Sequence, residues 1–103
     1  MFCVVYEFTI KPGDDDAFVQ AWIEGTREIM SVHGGLGSRL HRLGEGLMIG
    51  YAQWPSREVW QKFEDSHDPL IFATMKNYCT DVKALYHMDV LADLLTCVAQ
   101  EQR

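Results

Sequence analysis

A single stretch, Gly34 to Ser56 (GGLGSRLHRLGEGLMIGYAQWPS), limits what this chain can become. It reads as two strands folded back around Gly44-Glu45-Gly46, because a short glycine-containing loop between strand-like runs is a hairpin signal. The second arm, Leu47 to Trp54, is apolar at nearly every position, which predicts burial on both faces. The first arm carries Arg39, His41 and Arg42 and belongs nearer an edge or the wall of a polar cavity. A helical pattern flanks the hairpin on each side, and a strand-like run lies outside each helix.

From Phe2 to Ile10, Phe2, Val4, Tyr6, Phe8 and Ile10 share one face, and Cys3, Val5, Glu7 and Thr9 share the other. Lys11-Pro12-Gly13 is a turn. Asp14, Asp15 and Asp16 then supply an N-cap and negative charge at a helix start. Phe18, Trp22, Ile29 and His33 make one stripe of that helix, with Val19, Ile23, Thr26 and Met30 beside it. Gly34 ends it as a left-handed cap. After the hairpin, Pro55 breaks the strand and Ser56 caps a second helix bearing Val59, Trp60, Phe63 and His67. Asp68-Pro69 interrupts it. A further helical piece is expected over Leu70 to Thr80, a last strand over Ala84 to Leu91, and a short helix in the tail through Leu94, Leu95 and Val98.

The order β-α-β-β-α-β with right-handed crossovers predicts an α+β, ferredoxin-like domain. Its antiparallel sheet runs in the order 4-1-3-2, with the helices on one face. The other face, bearing Cys3 and Val5, has no helix to cover it. Sheet-to-sheet packing into a homodimer, giving a dimeric α/β barrel, is the economical solution.

With 103 residues the chain is one domain, spanning 1–103 with a core of about 1–91. A net charge of -6 with no basic run argues against nucleic acid or anionic membrane as partners. Cys3, Cys79 and Cys97 are odd in number and widely spaced, so they read as reduced core thiols rather than zinc ligands, which suits a cytoplasmic location. The apolar N-terminus lacks the basic flank and cleavage site of a signal peptide. No nucleotide-binding glycine pattern or metal cluster is visible, so no cofactor or metal is expected.

The chemistry-bearing candidates each have a plainer reading. Tyr6 faces the helices, either as a core tyrosine with a satisfied hydroxyl or as a phenol lining a cleft. His67 is either a surface cap or a general base, since an unperturbed imidazole titrates at about pH 6.5. His87 is an edge-strand residue or a substrate contact. Arg39 makes rim or interface ion pairs, or stabilises a phenolate. Trp60 and Phe63 pack the core or wall a slot for a flat aromatic ring.

GLGSRLHR, a short turn and then GYAQWPSREVW resembles the antibiotic biosynthesis monooxygenase family of dimeric α/β-barrel proteins. The opening strand ending in Lys-Pro-Gly, the long first helix and the final strand fit the same pattern, to about Leu91. The resemblance implies that fold and a cleft between helices and sheet. The family includes cofactor-independent oxygenases of phenolic polyketides and quinols, haem-degrading enzymes, and proteins of unknown role. The haem-degrading members use an Asn on strand one and a Trp and a His in the second helical region. Those positions are Tyr6, Phe63 and Ala73 here, which argues against haem degradation. The polyketide oxygenases use Asn, Trp and Tyr in the cleft; Trp60 and Tyr6 are the analogous residues, while the only Asn is Asn77. The expected activity is therefore cofactor-independent oxidation of an electron-rich aromatic, an anthrone or quinol, with dioxygen. His67 is then the base, Tyr6 a hydrogen-bond donor, and Trp60, Phe63, Arg39 and His87 the substrate contacts. The alternatives are a non-catalytic dimer that binds a small hydrophobic ligand and, more remotely, haem binding through His67 or His87.

Overall fold

A computed structural model describes residues 1–66 and 69–95, with the side chains of 69–72 outside that description. The elements are β1 (Phe2–Ile10), α1 (Asp15–His33), β2 (Gly37–Gly44), β3 (Leu47–Trp54), α2 (Arg57–Ser66), α3 (Pro69–Lys76) and β4 (Cys79–Asp89). They form a four-stranded antiparallel sheet in the order β2-β3-β1-β4. The expected ferredoxin-like order and the hairpin are both present, with Glu45 and Gly46 linking β2 to β3. Gly46 adopts φ 69°, the left-handed region that favours glycine, and its carbonyl accepts the Ile10 amide at 2.8 Å.

The central strands obey their alternation. Phe2, Val4, Phe8 and Ile10 of β1 are buried beneath the helices, with Met48 and Trp54 of β3 beside them. One cluster joins Phe2, Val4, Trp54, Trp60 and Phe63, and a second joins Phe8, Ile10, Phe18, Met48 and Cys79. Phe18 anchors α1 in the second cluster, its ring 4.9 Å from that of Phe8. Gly34 closes α1 at φ 81°, with its amide on the Ile29 carbonyl, as the sequence predicts. Asp14 occupies the N-cap position but makes no side-chain cap bond, so the acidic start of α1 acts through Asp15 and Asp16 in the first turn. Ser56 does cap α2, its Oγ accepting the Val59 amide at 3.2 Å.

Two boundaries differ from expectation. The helix expected to reach Thr80 ends at Lys76, and the strand expected to begin at Ala84 begins at Cys79. β1 is central and has a whole strand's length of backbone groups to satisfy, so β4 pairs along all of it, from Phe2↔Asp89 to Ile10↔Cys79. Register shifts between Val5 and Tyr6 and between Thr9 and Ile10 leave Leu85 and Thr80 as extra residues on β4. Each bulge breaks the period-2 pattern, and that is what hid the first half of the strand. The tail helix expected through Leu94 and Leu95 is absent from residues 92–95, and Val98 and Cys97 lie outside the described residues.

On its helix side β3 buries Met48, Gly50 and Trp54, with Ala52 half-buried. Ile49, Tyr51 and Gln53 on the other side are half-buried in the single chain. Cys3 on that side is nevertheless enclosed, with its Sγ 3.0 Å from the Tyr51 hydroxyl. Burial pushes the Cys79 thiol up to about 11, which leaves it an inert core thiol near neutrality.

Candidate functional site

A cavity of about 90 Å³ lies between the helices and the inner sheet face. The strands build its floor. Gly50 and Ala52 are successive inner-face residues of β3, and both line the cavity. A Cβ on Gly50 would stand 3.0 Å from Phe8 Cε2 and 3.6 Å from Trp22 Nε1, so the glycine lets those rings close over it. Trp22, Thr26 and Ile29 of α1 recur at helical spacing to make one wall. Phe63 of α2 and Met75 and Lys76 of α3 complete the enclosure.

Tyr6 of β1 is part of the lining. Its hydroxyl oxygen accepts the Trp60 indole N–H at 3.2 Å. Burial is the main reason that its phenol is pushed up to about 12; the Trp60 bond opposes this and the charge of Glu64 adds to it. The group is therefore a neutral phenol throughout the working range, able to give its own proton to an acceptor but unable to serve as a base. Trp54 is a second donor. It is 2% exposed, it lines the cavity, and its Nε1 has no acceptor among the described residues. An unpaired buried N–H costs about 1–3 kcal/mol, and this one is itself fully enclosed.

The sequence-predicted residues separate into groups. Tyr6 and Phe63 line the cavity. Trp60, expected to touch substrate, instead stands behind Tyr6, holding its hydroxyl and packing its ring 5.5 Å from Phe2 and 4.8 Å from His87. His87 pairs with Val4 on the inner face of β4 and backs Trp60 rather than the cavity. Arg39 pairs with Tyr51, which pairs with Val5, so strand alternation puts it on the opposite sheet face, away from this chain's cavity. His67 lies outside the described residues. Sequence reasoning missed Trp22, Trp54, Ser38 and the Gly50–Ala52 floor. The signal was present in the alternation Met48, Gly50, Ala52, Trp54, which places two small residues side by side on a face that faces helices.

Among the described residues no group of three or more His, Cys, Asp or Glu side chains is arranged to hold a metal ion. No helix among them is long and apolar enough to cross a membrane.

A sequence model of the antibiotic biosynthesis monooxygenase family matches residues 1–75. Similar solved structures include a variant of SnoaB, a cofactor-independent oxygenase from Streptomyces nogalater, at 11% identity and a TM-score of 0.72, covering 90% of this chain and 95% of that one. A candidate antibiotic biosynthesis monooxygenase from Caulobacter crescentus aligns at 16% identity and a TM-score of 0.74, over 88% and 90% of the two chains. A Pseudomonas aeruginosa protein aligns at 19% identity and 0.68, over 88% and 94%. At these identities the likeness speaks for the fold. No curated protein matches the sequence significantly.

Proposed function

Because the chain belongs to the antibiotic biosynthesis monooxygenase family, we propose that it is a cofactor-independent monooxygenase of an electron-rich aromatic substrate of the phenol, quinol or anthrone type. One observation carries this reading: a neutral, pinned phenol, Tyr6, stands on the wall of a mostly apolar cavity. The substrate supplies the electrons. A base removes a phenolic or benzylic proton, and the carbanion-like ring gives one electron to dioxygen. The radical pair joins as a C–O–O bond, and loss of water from the protonated peroxide leaves a carbonyl. The protein need only remove the proton, hold the developing oxyanion and exclude water. Tyr6 O–H is the oxyanion donor in this scheme.

The cavity lining includes no carboxylate or imidazole among the described residues. The base is assigned to His67, which follows α2 in sequence four residues after the lining residue Phe63. Dioxygen consumption with a panel of phenols and hydroquinones tests both assignments. His67→Ala is expected to lower turnover by roughly 10²-fold, the usual worth of a general base. Unchanged turnover would assign deprotonation to the substrate's own ionisation. A panel that binds without consuming dioxygen would favour a ligand-binding role.

The functional unit is proposed to be a homodimer joined through the outer sheet face. That face carries Val5, Ile49 and Tyr51, half-buried, together with Met88 and the 61%-exposed Tyr86, and no described helix covers it. Sedimentation at micromolar concentration should give twice the 11.8 kDa chain mass; a monomer at that concentration would exclude the barrel assembly.

A further inference from the structure

The cavity is too small to hold a whole substrate. At about 90 Å³ it is below the roughly 150 Å³ of an apolar cavity known to enclose a benzene molecule. A ring entering it must leave part of its substrate outside, so the surface next to the cavity takes part in recognition. That surface is a groove of about 420 Å³ between α1 and the edge strand β2. Trp22 and Ser38 line both the cavity and the groove, which makes the two spaces neighbours across a shared wall.

One cation of this groove belongs to the side of the sheet that the cavity occupies. Arg39, His41 and Arg42 of β2 border the groove, and β2 carries no acidic residue, but Arg39 and His41 pair with Tyr51 and Ile49 and so belong to the outer sheet face. Arg42 pairs with Met48, which pairs with Phe8, so it belongs to the helix-facing side of the sheet, the same side as the cavity. Its counter-charge is Asp15 of α1, at 3.7 Å, with the Arg42 side chain 62% exposed. An ion pair this open is weak and yields to a better-placed anion.

We propose that cavity and groove form one site for an aromatic that bears an anionic arm, with the ring on the Gly50–Ala52 floor and a carboxylate reaching Arg42. This deepens the oxygenase reading and rests on the same cavity, but it concerns binding and not turnover. The arm also fixes which ring edge enters, because the guanidinium offers paired donors matched to a carboxylate.

The test is calorimetric titration of the whole protein, without dioxygen, using 4-hydroxyphenylacetate and its neutral isostere 4-hydroxyphenylacetamide. The carboxylate should bind about tenfold tighter than the amide at low salt, and the difference should shrink at about 0.5 M salt, where exposed charges are screened. Arg42→Gln should abolish the preference and leave the amide's affinity unchanged. Asp15→Asn, which removes the competing anion, should strengthen the carboxylate's binding. Melting curves of both variants establish that the fold is intact. Equal affinity for the two probes, failure of both to bind, or a preference that survives Arg42→Gln would overturn the proposal. If β2's cations only deter edge-to-edge strand pairing, the two probes bind alike. A protein that binds with the stated preference but consumes no dioxygen leaves this inference standing and defeats the oxygenase reading alone.

Discussion

Ala52→Leu is expected to abolish ring binding while leaving the protein as stable as before, or more so. Ala52 stands on the inner face of β3, paired with Val4 and Ser38, and forms part of the cavity floor. A leucine there adds three carbons that project into about 90 Å³ of unfilled space. Each newly buried methylene is worth about 0.8 kcal/mol, against a repacking strain of about 1–3 kcal/mol. The net change in stability lies near zero or is favourable, and each kcal/mol gained would raise the melting temperature by about 4–8 °C. The same atoms occupy the ring's place, so affinity for a simple phenol should fall by roughly 100-fold or more, the value of the apolar contact forfeited. Opposite movements of stability and binding are the mark of a cavity kept open for use. Gly50 is the poorer probe, because a Cβ there already meets Phe8 at 3.0 Å and strain would obscure the result. Thermal melts and calorimetry settle the matter. A variant that still binds phenols as tightly would place the site elsewhere, and one that melts far lower would mean that the space is not there to fill.

How far the sequence could be read depended on whether a feature is local. The hairpin, the Gly34 cap, the Ser56 cap and the buried face of β1 each follow from a few neighbouring residues whose propensities agree. Strand order followed as well, because β1 and β3 are the most uniformly apolar runs and only central positions bury both neighbours' edges. β4 was half-hidden because its two bulges are set by pairing with β1, a partner some 70 to 80 residues away, which no local pattern reports. The site was legible in part for the same reason. Tyr6 could be placed by alternation alone and Phe63 by helical periodicity. Trp60 could be placed on the correct face, but whether it lines a cavity or braces the residue that does depends on a contact between α2 and β1. Arg39 was assigned by its chemistry, while its face follows from its pairing with Tyr51 and Val5. A void leaves its trace only as small residues, and Gly50 and Ala52 carry that trace without announcing its shape.

Tyr6→Phe is expected to lower turnover by about 10²-fold with little change in the affinity for substrate, the loss typical of removing one preorganised oxyanion donor. Trp60 decides where the phenol's proton points. Its N–H occupies the Tyr6 oxygen at 3.2 Å, so the tyrosine's own proton is directed to another acceptor. Phenylalanine removes that proton and also leaves the Trp60 N–H unpaired, at a cost of about 1–3 kcal/mol in stability. Trp60→Phe separates the two effects. It keeps the phenol but frees it to rotate, and it should cost a smaller factor, about tenfold, in line with lost positioning. The pH profile supplies an independent reading. Burial raises the Tyr6 pKa to about 12, so the proton is held at every pH below that value and is lost only as pH climbs through it. Turnover should therefore rise as the base ionises, at about pH 6.5 for an unshifted imidazole, and then stay level through pH 10, where an ordinary tyrosine would already be losing its proton. Steady-state rates from pH 5 to pH 11 for the wild type and both variants provide the check. A falling limb near pH 10 in the wild type that disappears in Tyr6→Phe would mean that the phenol titrates normally and is not shielded as described. Full turnover in Tyr6→Phe would remove the phenol from the chemistry.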